Sequence, residues 1–301
     1  MEKTRMRILL LGKDGQVGWE LQRALLHLGD LVAVGHSEID LLDIERSRNL
    51  IRSIKPQIII NAAAYTDVEK AENEPEVAMA VNGVAPGVLA EEAKALDAVL
   101  VHYSTDYVFD GQKRSPYTED DPPNPINMYG KSKLMGEQAI QQVDNTYLIL
   151  RTSWVYSLRK KSFVTNVLAW AQKNQTLRIV TDQVSNPTWC RMLAEATARI
   201  VEASNRSINR FKEWKGLYHL AGAGYTSRFE FAKAILTAVP ADFPSIVENI
   251  LPASTQEFHD RARRPTFSAL NLGKFTQTFS FDVPEWETSL KLALDNSLLH
   301  E

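Results

Sequence analysis

Arg7-Ile8-Leu9-Leu10-Leu11 runs straight into Gly12-Lys13-Asp14-Gly15-Gln16-Val17-Gly18, and the reading of this stretch decides the fold. A short apolar run bounded by glycine reads as a strand buried on both faces. The amphipathic stretch behind it, near Val17–Leu28, reads as a helix. Glycines at such a corner let the backbone turn sharply and approach a pyrophosphate, with the helix N–H groups pointing outward. The spacing is GxxGxxG, one residue longer between the first two glycines than the usual dinucleotide fingerprint GxGxxG. A tight strand-to-helix turn also uses glycines without any ligand. Position in the first such unit favours the cofactor reading, with Gly12, Gly15, Gln16, Val17 and Gly18 as the contacts.

Working outward, the same rhythm repeats. Leu31–Val34 reads as a second strand and Ile44–Ile54 as a helix closed by Lys55-Pro56. Gln57–Asn61 reads as a third strand, and Pro75 to about Asp97 as a long Ala-rich helix interrupted at Gly83–Gly87. Val99–Ser104 and Thr146–Arg151 are further strands, with a helix at Tyr129–Gln142 after the proline-rich loop Ser115–Met128. Alternating strands and helices predict an α/β chain on a Rossmann-like, doubly wound parallel sheet. Beyond about Trp154 the rhythm becomes irregular. Helices are expected at Phe163–Lys173, Leu193–Ala203, Arg228–Val239 and Glu285–Leu299, and strands at Leu177–Val180 and Leu217–Leu220. The expected division is a dinucleotide-binding domain over residues 1–153 and a smaller, interleaved α/β region for substrate over 154–301.

Composition narrows the class. The chain has 301 residues, 44% hydrophobic and 24% charged, enough for a large core. Lys+Arg of 34 against Asp+Glu of 37 leaves −3, without the basic excess of a nucleic-acid binder. The lone Cys190 cannot form an internal disulfide and fits a reducing compartment. The six histidines show no metal-ligand spacing. Ile8–Leu11 is too short for a signal peptide, and no stretch approaches about 18 apolar residues. The expectation is a soluble cytoplasmic protein with no membrane or nucleic-acid partner.

Two further places carry chemistry. At the end of the second strand, where a carboxylate would bond the adenosine ribose and exclude a 2′-phosphate, stand Gly35-His36-Ser37, with no carboxylate until Glu38. NADPH is therefore not repelled, and Asp40-Leu41 is placed to meet the adenine. Tyr129 and Lys133 fall at i and i+4, on one face of a helix. A free tyrosine titrates near 10; lowering it by about 3 units takes about 4 kcal/mol, which a neighbouring ammonium can supply. Ser104-Thr105-Asp106 lies at a strand's carboxyl end, where such sheets face their ligand crevice, so a hydroxyl there can bind a carbonyl oxygen beside the tyrosine.

The glycine loop, NAAAY (Asn61–Tyr65), YSTDYVFDG (Tyr103–Gly111) and YGKSK (Tyr129–Lys133) together resemble the extended short-chain dehydrogenase/reductase superfamily. GQVGWELQ (Gly15–Gln22), RTSWVY (Arg151–Tyr156) and RPTFSAL (Arg264–Leu270) are similar to one sugar-nucleotide reductase branch of it. The resemblance implies reduction, with NADPH or NADH, of the C4 ketone of dTDP-4-dehydro-L-rhamnose, the last step toward a dTDP-sugar for cell-surface polysaccharide. It implies Tyr129 as proton donor, Lys133 as nicotinamide-ribose contact and tuner of Tyr129, and Thr105 as carbonyl orienter. It also implies Asp106 and Trp154 as sugar contacts, and Ala64, Tyr65 and Thr66 as neighbours of the cofactor. Arg264 reaches either the substrate diphosphate or solvent. Family members are often dimers, sometimes with Mg²⁺ bridged by carboxylates; Glu20 lies in the matching segment, and no complete metal site is expected from the sequence. Related dehydratases carry a glutamate after the Thr-Asp pair, where this chain has Tyr107, so simple reduction is favoured. A reductase of a related 6-deoxy-4-hexulose, and a non-catalytic regulatory subunit like that of methionine adenosyltransferase, are the alternatives.

Overall fold

The runs of Ile, Leu and Val assemble into one parallel sheet. The computed structural model describes residues 5–204, 207–258 and 261–295. Its strands β1 (Arg7–Leu11), β2 (Asp30–Val34), β3 (Ile58–Asn61), β4 (Val99–Thr105), β5 (Thr146–Thr152) and β6 (Gly216–His219) lie in the order β6-β5-β4-β3-β1-β2. Leu9 pairs in register with Val32 on one side and Ile59 on the other. The chain leaves β1 outward to β2, then crosses back to β3, so the carboxyl ends of β1 and β3 part at a topological switch point.

Helices cover both faces, which is why these strands carry apolar residues at consecutive positions. On one face α1 (Gln16–Leu25) and a later helix, Cys190–Ala203, bury Leu21, Leu25, Leu193 and Ile200 against Ile8, Leu10, Ile58 and Ile60. On the other, α2 (Ile44–Ile54), Ala85–Ala95 and Met128–Val143 pack Ile51, Leu89, Ala90 and Ile140 on Leu9, Leu11, Ile59 and Leu100. Asp43 caps α2 by accepting from the Arg46 N–H at 3.0 Å, and Lys55 ends it in the left-handed region at φ 52°.

Four elements differ from expectation. The interruption placed at Gly83–Gly87 is a π turn, Ala80–Val84, which keeps the backbone helical between Pro75–Met79 and Ala85–Ala95. Pro86 falls just after this turn, where the wider winding accommodates a residue that has no N–H to donate. A separate short helix, Val68–Asn73, precedes both. The strand read at Leu217–Leu220 is β6, hydrogen-bonded beside β5, so Cys190–His219 returns to the main sheet from the second half. The last helix is Trp286–Leu294, and residues 296–299 of the expected one lie outside the described residues. The remaining lobe pairs Thr176–Val180 with Asn249–Ala253 and centres on Tyr156, Val164, Phe231, Ile235 and Leu290. No helix among the described residues is long and apolar enough to cross a membrane.

Candidate active site

A cleft of about 960 Å³ opens over the carboxyl ends of β1, β3, β4 and β5. Gly12, Gly15, Gln16, Val17, Asp40, Leu41, Ala64, Tyr65, Thr66, Thr105, Asp106, Tyr129, Lys133, Trp154 and Arg264 all line it. Gly18 stands behind the wall instead: a Cβ there would come within 2.0 Å of the Gly12 carbonyl oxygen. Gly12 has φ +84°, and its own Cβ would meet the Ala63 nitrogen at 2.7 Å. The loop therefore needs glycine both to turn and to let α1 approach. Gly15 caps α1 without placing a side chain over its first N–H groups. That open corner fits a dinucleotide pyrophosphate.

At the end of β2, Glu38 folds back and accepts from the Gly35 N–H and the Ser37 hydroxyl, each at 2.9 Å. Lys13 pairs with the same carboxylate, and this hydrogen bond leads in lowering its pKa to about 2. The negative charge at this corner is thus answered by a cation from the glycine loop. Asp14 lies against Gly35 and also lines the cleft.

The Met128–Val143 helix starts at Asn127, whose side chain accepts from the Gly130 N–H at 2.8 Å and donates to the Arg263 carbonyl at 2.8 Å. This cap ties the helix start to the second lobe and sets Tyr129 one residue inside the first turn. Thr105 ends β4, and its hydroxyl hydrogen-bonds Tyr129. Burial pushes the Tyr129 phenol above its ordinary value, the Thr105 bond opposing. The lowering anticipated from the Tyr/Lys spacing does not arise: desolvation penalises the phenolate, and no contribution from Lys133 opposes it. Lys133 turns elsewhere: Nζ donates to the Tyr103 carbonyl at 2.7 Å and lies 3.1 Å from His102 Nε2. Burial pushes Lys133 down to about 8, with the Glu137 charge opposing. A phenol that keeps its proton is the form a general acid requires.

Asp106, 2% exposed, accepts from Ser268 at 2.5 Å, Ser185 at 3.0 Å and Thr105 at 3.2 Å. Burial still pushes it up to about 6, against those bonds and the charge of Arg228. Arg228 was not foreseen. Its guanidinium sits 3.6 Å over the Trp154 ring and hydrogen-bonds Tyr107, whose ring packs edge-on to Tyr129 at 5.8 Å. No periodic signal marked Arg228, since it comes from a helix of the other lobe; Ser268 at least lay within the quoted RPTFSAL segment. Arg264 pairs with Glu69 at 3.0 Å while lining the cleft. Among the described residues no group of three or more His, Cys, Asp or Glu side chains is arranged to hold a metal ion.

Trp154 is half-buried at φ +40°, a left-handed backbone that a bulky side chain rarely takes. Its indole lines the cleft on one side and packs on Phe231 of the second-lobe core on the other. Trp154→Ala is expected to weaken sugar-nucleotide binding by about 1–3 kcal/mol while cofactor affinity stays near wild type. Separate titrations with cofactor and sugar nucleotide check this, and equal losses for both would refute it.

Comparison with known proteins covers nearly the whole chain. Residues 6–299 match the family described as RmlD substrate binding domain. A dTDP-4-dehydrorhamnose reductase of Burkholderia thailandensis is 41% identical over 97% of this chain and 99% of its own length. One of Escherichia coli is 40% identical over 96% and 97%. Among solved structures, the Bacillus anthracis dTDP-4-dehydrorhamnose reductase in complex with NADP superposes with TM-score 0.86 at 33% identity, covering 96% of this chain and 98% of that one. A UDP-glucose 4-epimerase of Thermus thermophilus, 18% identical at TM-score 0.80 and covering 98% and 100% of the two chains, shares the fold.

Proposed function

The chain belongs to the RmlD substrate-binding-domain family, and from that premise we propose that it reduces the C4 ketone of dTDP-4-dehydro-L-rhamnose to dTDP-L-rhamnose with NAD(P)H. The observation that carries the reading is Tyr129, bonded to Thr105, in one cleft with an open glycine corner. Gly12, Gly15, Gln16 and Val17 would hold the pyrophosphate, Asp40 and Leu41 the adenosine end, and Ala64, Tyr65, Thr66 and Lys133 the nicotinamide side. When bound, the reduced nicotinamide supplies hydride to C4. Tyr129 gives its proton to the carbonyl oxygen as negative charge gathers there, and the Thr105 hydroxyl holds that oxygen in place. Asp106 and Trp154 orient the hexose by accepting its hydroxyls and covering its ring. Tyr107 offers no carboxylate for eliminating water, which favours reduction over dehydration.

The test is NADPH oxidation that depends on added dTDP-4-keto-6-deoxy-L-lyxo-hexose. Cofactor binding without turnover would instead support the regulatory-subunit reading, and turnover of only a stereoisomer would support the related hexulose. The resemblance also supports a homodimer, which sedimentation velocity measures directly. NADPH is expected to serve at least as well as NADH, because Lys13 answers the Glu38 charge beside the ribose site. Lys13→Ala is expected to lower kcat/KM several-fold for NADPH relative to NADH. An unchanged ratio would show that this corner does not meet the 2′-phosphate.

A further inference from the structure

His102 is fully buried on β4, and the reaction above makes no use of it. Its ring nitrogens have different neighbours. Nε2 lies 3.1 Å from Lys133 Nζ, and Nδ1 lies 3.0 Å from Nδ2 of Asn61 at the end of β3. A third contact fixes which way Asn61 faces. The Ala63 backbone N–H can only donate, and it donates to Asn61 Oδ1 at 3.1 Å. The amide nitrogen therefore faces His102, so Nδ1 must accept, and the proton of the neutral imidazole is on Nε2. That Nε2–H points at Nζ. An ammonium has three donors and no lone pair, whereas a neutral amine accepts. The arrangement is the one an amine requires.

We propose that Asn61 and His102 form a buried two-state relay that positions Lys133 and governs its protonation: His102 carries its proton on Nε2 when Lys133 is an amine, and on Nδ1 when Lys133 is an ammonium. In the switch the Nε2–H bond breaks as an Nζ–H bond forms, and a proton from water is bonded to Nδ1. One proton is taken up in all. Asn61 then turns its Oδ1 toward the new Nδ1–H and releases the Ala63 N–H, which lies at the cleft wall beside Gly12. Lys133 titrating at about 8, inside the range where it can change state, agrees with this.

The groups around Lys133 are few. On its own helix stand Tyr129, one turn earlier, and Glu137, whose charge favours the ammonium. Glu137 is itself held by Arg151 from β5 and by Ser104 from β4. His102 and Tyr103 face Lys133 from β4, the Tyr103 hydroxyl being taken by Thr197.

Long-range ¹H–¹⁵N correlation on protein labelled at histidine, followed from about pH 6 to about pH 10, reads the tautomer directly. The expected result is an Nδ1–H tautomer at the acid end and an Nε2–H tautomer at the alkaline end, with a midpoint near 8. One tautomer throughout would overturn the relay. Asn61→Asp can only accept, so it is expected to hold His102 as the Nδ1–H tautomer at every pH. Together with the added negative charge, it is expected to move the alkaline limb of kcat upward by about one pH unit or more. An Nε2–H tautomer in that variant would also overturn the relay. The wild-type titration decides the matter even if the variant does not fold. The kcat limb rests on the proposed reduction, whereas the tautomer titration does not, so failure of one reading is distinguishable from failure of the other.

Discussion

Tyr129→Phe is expected to reduce turnover of the keto sugar by about 10²–10⁴-fold, with folding and NADPH affinity near wild type. Phenylalanine keeps the ring and its edge-on packing against Tyr107. It removes the hydroxyl bonded to Thr105, and with it the proposed proton donor. Lys133→Ala is expected to differ in kind, lowering cofactor affinity along with kcat because the ribose contact proposed for Lys133 goes with the amine. Single-turnover reduction and fluorescence titration of NADPH, run on both variants, separate the two roles. A Tyr129→Phe enzyme retaining more than about a tenth of the wild-type rate would hand the proton to Thr105 and water, against the range usual for general acids.

The second large effect is on stability. Glu137 and Arg151, 2% and 4% exposed at their side chains, meet in a two-pronged pair of 2.9 and 2.6 Å, and Ser104 donates to the same carboxylate at 2.5 Å. The guanidinium also lies 5.0 Å from the Phe109 ring centre. Glu137→Ala leaves this guanidinium buried without its carboxylate, and a loss of about 3–5 kcal/mol is expected. Urea unfolding measures it. Replacing both partners by methionine should recover most of the loss, because the cost comes from the stranded charge and not from an absent attraction. A single-variant loss under about 1 kcal/mol would place the pair with exposed ion pairs and refute the argument.

Local chemistry explains what could be read ahead. Arg7–Leu11 and Ile44–Ile54 have the predicted bounds because their apolar pattern is local, and the cap Asp43 and stop Lys55 directly flank the helix. Thr105, Tyr129 and Lys133 were legible because strand-end position and i, i+4 spacing are properties of short segments. Long-range partners were not. β6 finds its place only beside β5, and Arg228 reaches Trp154 from a helix of the other lobe. Asn61 and His102 read as strand residues, since nothing in a strand pattern says which buried polar groups will face each other. The direction of the Tyr129 shift was missed for a similar reason: spacing brings an ammonium near, but desolvation depends on everything folded around the ring.

The π turn at Ala80–Val84 has a consequence for insertions and deletions. Its wider winding aims Asn82 so that Oδ1 accepts from the Tyr65 N–H at 2.8 Å and Nδ2 donates to the Tyr65 carbonyl at 2.9 Å and to Ser132 at 3.0 Å. Removing one residue from this turn would force regular α winding, which sets the Pro86 ring against the carbonyl of the preceding turn. Everything on one side of the cut would then rotate by about 100° relative to the other. Asn82 would swing away from Tyr65, and the cleft wall would lose its brace. A one-residue gap here would disturb both the buried helix behind the turn and the cleft wall in front of it, so homologous chains that differ in length at this point will differ in how they hold what lies against Tyr65.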